Sequence, residues 1–167
     1  MIKLWRRSIS LEIRRVGPEA AAEVARMIAG LLEEFAPGEP ADIATLTATA
    51  DEVLALDTVT GLAALREGEA VGLLMLNDCA AIYAGGRFGE ITELYVRPEM
   101  RSQGVAARLV AEAERIGRAR GWHRIEVGAP EQPEWARTLA FYRREGFVEV
   151  GHRLKMPLQN VRDTVET

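Results

Sequence analysis

One cysteine, Cys79, and two histidines are the only thiol and imidazole groups in 167 residues. That scarcity excludes an internal disulfide and any multi-cysteine zinc site, and two histidines among scattered carboxylates make no recognisable metal spacing, so no metal is expected. Cys79 has neither His123 nor His152 close to it in sequence, which argues against covalent catalysis; His123 reads as a packing residue. Aromatic residues are 6% of the chain, and the basic residues are dispersed rather than striped among them, which argues against a nucleic-acid footprint. There is no apolar run of about eighteen residues and no cleavable signal, so a cytoplasmic protein away from membranes is expected. The length suits one domain with one core, and a formal charge of −4 tolerates a cationic small substrate without identifying it.

The periodicities predict the order β, α, α, three strands, α, β, α, β. Ile9, Leu11 and Ile13 alternate along a first strand from Ser8 to Arg14, and Gly17-Pro18 opens a helix to about Glu34. Pro37-Gly38-Glu39-Pro40 breaks the chain before a shorter helix expected around Thr49 to Asp57. Gly61 to Arg66 and Ala70 to Leu76 read as a hairpin, followed by a loop from Asn77 through Arg87 and a strand from Glu90 to Val96. Val105, Leu109, Val110, Ala113 and Ile116 mark a long helix closed by Gly121. A short buried strand at Arg124 to Val127, a helix at Trp135 to Arg144 and a last strand at Phe147 to Met156 complete the series. Hairpins mixed with crossovers imply an α/β (α+β) layered fold with a mixed sheet.

Arg101-Ser102-Gln103-Gly104-Val105-Ala106 joins the strand ending at Val96 to the long helix. Backbone N–H groups of a first helical turn have no intrahelical partners, so a glycine-containing turn there can hold a phosphorylated cofactor by main chain, with Arg97 and Arg101 adding positive charge. One glycine alone is weak support, since helix starts often use it; the flanking basic residues strengthen the reading.

Ile91 to Leu109, with a strand ending Leu94-Tyr95-Val96 and the turn Arg101 to Ala106, resembles the cofactor motif of the GCN5-related N-acetyltransferase (GNAT) superfamily. Ala140-Phe141-Tyr142-Arg143-Arg144-Glu145-Gly146-Phe147 resembles that family's late helix and the start of its final strand, although Trp135 stands where many members carry an asparagine. The resemblance covers roughly residues 8 to 156. It implies one GNAT-like domain over residues 1–156 with a tail at 157–167. The implied fold is a central, mostly antiparallel sheet flanked by helices, with an acyl-CoA cleft where central strands splay near Val96. Acetyl-CoA (coenzyme A) is the implied cofactor, and Tyr95, Val96, Arg101, Ser102, Gln103, Gly104, Val105 and Ala106 are the implied cofactor-binding residues.

Transfer from a thioester to an amine needs a neutral nucleophile and a proton for the departing thiolate. Tyr142 is the candidate general acid, against a plain aromatic-core role beside Phe141 and Phe147. Glu93 is expected on one strand face with Ile91 and Tyr95, a buried carboxylate serving as general base, as substrate-orienting group or in a salt bridge. Glu33, Glu34, Asp42 and Asp78 could face an amine or simply be solvated. The leading expectation is acetyl transfer to the primary amine of a small molecule or peptide. A catalytically weak acyl-CoA-binding regulatory domain or a partner-binding domain is the alternative, and a homodimer is a family-level expectation.

Overall fold

A computed structural model describes residues 10–129, 134–151 and 153–156. The chain forms two compact units, Met1–Ala129 and Pro130–Thr167. The first contains β1 (Leu11–Val16), α1 (Ala21–Phe35), α2 (Ile43–Leu54), β2 (Val59–Arg66), β3 (Glu69–Ala81), β4 (Gly86–Val96), α3 (Val105–Ala119) and β5 (Ile125–Val127). The second contains α4 (Ala136–Arg144). Among the described residues no helix is long and apolar enough to cross a membrane.

The strands lie in the order β1-β2-β3-β4-β5, antiparallel from β1 to β4 and parallel between β4 and β5. Side chains alternate across the sheet, so each face has its own helices. Ala63, Leu65, Leu73 and Met75 pack with Val24 and Met27 of α1 and Leu54 of α2. On the opposite face α3 presses close at Gly72, where a Cβ would stand 2.9 Å from a Val105 methyl carbon. Leu62, Leu73, Leu74, Leu76, Ile91, Leu109 and Ile116 are fully buried, each contributing roughly 1.5–3 kcal/mol of transfer free energy.

Four sequence expectations shift. The first strand runs Leu11–Val16, with Ser8 and Ile9 outside the described residues. The second helix starts at Ile43 and ends at Leu54, because the Asp42 carboxylate caps it, accepting from the N–H groups of Ala44 (3.0 Å) and Thr45 (3.3 Å). The supposed loop from Asn77 is mostly hairpin: β3 continues to Ala81, with Asn77 opposite Glu90 and Cys79 opposite Phe88. Asp78 there pairs with Arg87 at 3.0 Å and with Arg120 at 2.9 Å. No strand forms at the described residues of 147–156. Val148, Val150, Leu154 and Met156 are exposed there, and alternation makes a strand only where another strand completes its hydrogen bonds.

Candidate active site

The sheet changes character at Thr92. Leu76 pairs with Ile91 and Met75 with Glu93, so Thr92 is an extra residue in a β-bulge. Adjacent residues of β3 face opposite ways, and their partners do the same. Ile91 therefore enters the α3 face, while Glu93 joins Met75, Leu73 and Tyr95 on the face covered by α1 and α2. This corrects the expected face-sharing of Glu93 with Ile91, although Glu93 and Tyr95 do share one. Glu93 is half-buried and accepts a hydrogen bond from the Thr92 hydroxyl.

The parallel ladder ends at the same point. β5 accompanies β4 only from Gly89 to Ile91, leaving the outer edge of β4 from Thr92 to Val96 without a strand beside it among the described residues. The Arg97 N–H donates to the Val71 carbonyl at 3.0 Å, toward β3. By two-residue alternation the peptide groups of Val96 and Leu94 face away from β3, into the gap. Val96, expected at this edge from its motif, is thus joined by Leu94, which the motif does not single out and the same alternation counted back from Val96 finds.

Beyond Val96 a short 3-10 turn, Pro98–Met100, leads to two residues of positive φ, Ser102 (60°) and Gly104 (79°). The Arg108 N–H donates to the Gly104 carbonyl at 3.1 Å as the first rung of α3, so the amides of Val105, Ala106 and Ala107 have no intrahelical acceptor. Buried Val105 anchors this end, and Gly104 caps it with no side-chain hydrogen bond. Nothing lies within 4 Å of where a Gly104 Cβ would project. Open amides at a helix N-terminus, with open space beside Gly104, fit a pyrophosphate.

The side chains around this nest are engaged elsewhere. Gln103 donates to the Glu99 carbonyl at 2.9 Å and accepts from Arg66 at 2.9 Å. Arg97 lies 3.8 Å from Glu69, and Arg101 pairs with Glu34. The amides of Val105, Ala106 and Ala107 and the helix dipole are the main-chain features of this turn suited to an anion.

Tyr142 lies on α4 of the second unit and is 6% exposed. Phe141 and Phe147 each place a ring centroid 5.4 Å from its own. Burial pushes the phenol up to about 12, so it holds its proton as a donor at neutral pH. The Trp135 carbonyl accepts from the N–H groups of Thr138 (3.0 Å) and Leu139 (3.1 Å) at the start of this helix.

The four carboxylates suggested for an amine all have protein partners. Glu33 accepts from the Gly38 N–H at 3.0 Å, Glu34 pairs with Arg101, Asp42 caps α2, and Asp78 holds two arginines. Cys79 is half-buried, with its sulfur 3.9 Å from a Glu90 oxygen; burial first, then the charge of Glu90, pushes its thiol up, away from the nucleophilic thiolate. His123 is exposed, and its ring lies 3.7 Å from the position a Gly85 Cβ would take at the β3–β4 turn.

A parallel ladder that ends at Ile91, a bulge at the same level and an amide nest beyond it fit an acyltransferase-type architecture. The model of the acetyltransferase (GNAT) family matches residues 26–147, and the chain belongs to that family. It is 35% identical over 95 residues to an aminoalkylphosphonate N-acetyltransferase of Salmonella typhimurium strain LT2, a match covering 57% of this chain and 60% of that protein. It is 28% identical over 143 residues to glucosamine 6-phosphate N-acetyltransferase 1 of Oryza sativa subsp. japonica, covering 83% of each. Among solved structures, the aminoglycoside N-acetyltransferase AAC(6')-Iy in complex with CoA superposes with a TM-score of 0.71 at 21% identity, covering 94% of this chain and all of that one.

Proposed function

We propose that this chain is an N-acetyltransferase that moves an acetyl group from acetyl-CoA directly to a primary amine of a small molecule or peptide. The observation that carries the reading is the continuity of the β4 edge, open from Thr92 to Val96, with the open amide nest at Gly104. Both sequence relatives act on amines, and one structural neighbour holds CoA.

Bound acetyl-CoA supplies a thioester, an acyl carbon open to attack with a thiol as its leaving group. Main-chain amides of Val105 and Ala106, with the Ser102–Gly104 turn, hold its diphosphate. Tyr95, Leu94 and Val96 border its arm, the last two through outward peptide groups. Glu93 takes the proton the amine must lose, directly or through water, and Tyr142 gives one to the departing sulfur. The amine nitrogen gains the acyl carbon as the carbon–sulfur bond breaks, so no residue is acylated.

Residues 1–156 act in this reading as one catalytic domain, with 157–167 as a tail, supported by a family match that runs across the boundary between the two compact units. A cytoplasmic setting suits the free thiol of Cys79. A homodimer, supported by exposed apolar side chains such as Val148 and Val150, is decided by sedimentation.

Acetyl-CoA binding and amine-dependent CoA release test the proposal. The panel begins with an aminoalkylphosphonate, glucosamine 6-phosphate, an aminoglycoside and a peptide N-terminus. Binding with release supports a transferase, binding without release across the panel favours an acyl-CoA-binding regulatory domain, and no binding removes both.

A further inference from the structure

Arg101 opens the nest, yet the contacts of its guanidinium run to the end of β4 and to α1. Its backbone N–H donates to the Pro98 carbonyl at 3.3 Å. Its Nε–H donates to the Val96 carbonyl oxygen at 2.9 Å, and a terminal nitrogen pairs with Glu34 on the last turn of α1. The guanidinium carbon stands 5.9 Å from the centre of the Tyr95 ring. Tyr95 meets the same helix one turn earlier: a Cβ on Gly30 would lie 2.5 Å from its hydroxyl oxygen. Gly30 and Glu34 share one face of α1, so that face is held against the end of β4 at two levels.

We propose that Arg101 is a positioning residue for the lip of the gap beside β4, oriented by Glu34, and that its guanidinium does not bind the pyrophosphate. The assignment rests on the acetyl-CoA reading above. The Val96 carbonyl faces the gap, and Arg101 occupies it, so the lip offers the Val96 N–H. A planar guanidinium can hold a carbonyl and a carboxylate at once in a fixed fork, which a lysine ammonium cannot reproduce. The chain leaves α1 just after Glu34, and the Gly38 N–H is tied back to Glu33 at 3.0 Å. One ion pair thus sets the gap lip and the start of the α1–α2 loop together, which lowers the ordering cost when an arm enters the gap.

The test compares CoA with pantetheine, which has the arm but no phosphates, by competition binding to the full chain. Wild type, Arg101→Gln, Arg101→Lys, Glu34→Gln and the double variant Glu34→Gln/Arg101→Gln are measured, each with its melting temperature. Wild-type binding of CoA is read first; its absence removes the functional reading and this proposal with it. Arg101→Gln is expected to weaken both ligands by the same factor, about three- to tenfold for a partly exposed charged fork. Arg101→Lys should not restore them, Glu34→Gln should lose less, and the double variant should lose less than the product of the single effects. Loss of CoA affinity with pantetheine unchanged would make the guanidinium a phosphate ligand and overturn the proposal. Tighter CoA binding by Glu34→Gln would overturn it too, as would a lowered melting temperature with both affinities intact.

Discussion

Ile91 and Glu93 stand two positions apart on one strand and face opposite sides of the sheet, because Thr92 is an extra residue between them while their partners Leu76 and Met75 are adjacent on β3. A regular strand would send both to one face. The bulge delivers a carboxylate to the side covered by α1 and α2 at the level where β5 ends, coupling a local backbone irregularity to the place where chemistry is proposed.

Glu93→Gln removes the proton acceptor while keeping the size and the Thr92 contact. Turnover should fall on the order of a hundredfold with acetyl-CoA affinity unchanged. Steady-state rates beside a binding titration check this, and an unchanged chemical step would remove Glu93 from the mechanism.

Tyr142→Phe should retain CoA binding and lose roughly ten- to a thousandfold in turnover when chemistry limits the rate. Burial lifts this phenol from its ordinary value of 10.0 to about 12, so its contribution to stability is complete below pH 10 and is lost as pH rises toward 12. Denaturation across that window should show a steeper decline for wild type than for Tyr142→Phe. Parallel curves would mean that the hydroxyl is not buried as described.

At Gly104 two substitutions separate strain from occupancy. Both Ala and Glu must adopt φ of 79° and should cost about 1–2 kcal/mol. Only Gly104→Glu adds bulk and negative charge to the open cradle, so its CoA affinity should fall well below that of Gly104→Ala. Equal affinities in folded variants would reject the nest.

Gly89 gives its space to the Trp122 ring, and a Cβ there would come within 2.1 Å of it. Gly89→Ala should therefore lose about 1–3 kcal/mol through displacement of the indole. In Trp122→Leu the same change should cost less; additive losses in chemical denaturation would show that the two do not touch.

Cys79 sits beside Glu90, protonated by burial and by neighbouring negative charge. Its alkylation should be slower than that of a free thiol at the same pH, and Cys79→Ala should keep turnover. Loss of activity with intact folding would reopen the covalent route.

The helix at Val105 and the turn before it were readable because apolar spacing and a glycine at the helix start are written within a few consecutive residues. The β2–β3 hairpin was readable for the same reason. The second helix was misplaced because Asp42 was weighed as a substrate-facing charge when it is an N-cap, and the end of the hairpin was missed because Asn77 and Asp78 look like loop residues until their partners are known. The last strand was over-read: Phe147 to Val150 has the right alternation, but no ladder takes it up among the described residues.

By itself the sequence determined the family and the order of most elements, since motif and periodicity are local properties; it also named the nest residues, Tyr142 and Glu93, whose roles are the proposal made above. Tertiary structure alone decided the face of Glu93, which depends on register against β3, and the employment of Arg101, whose partner Glu34 lies 67 positions away. Register and long-range ion pairs are set by which surfaces meet on folding, and no local pattern of residues carries that information.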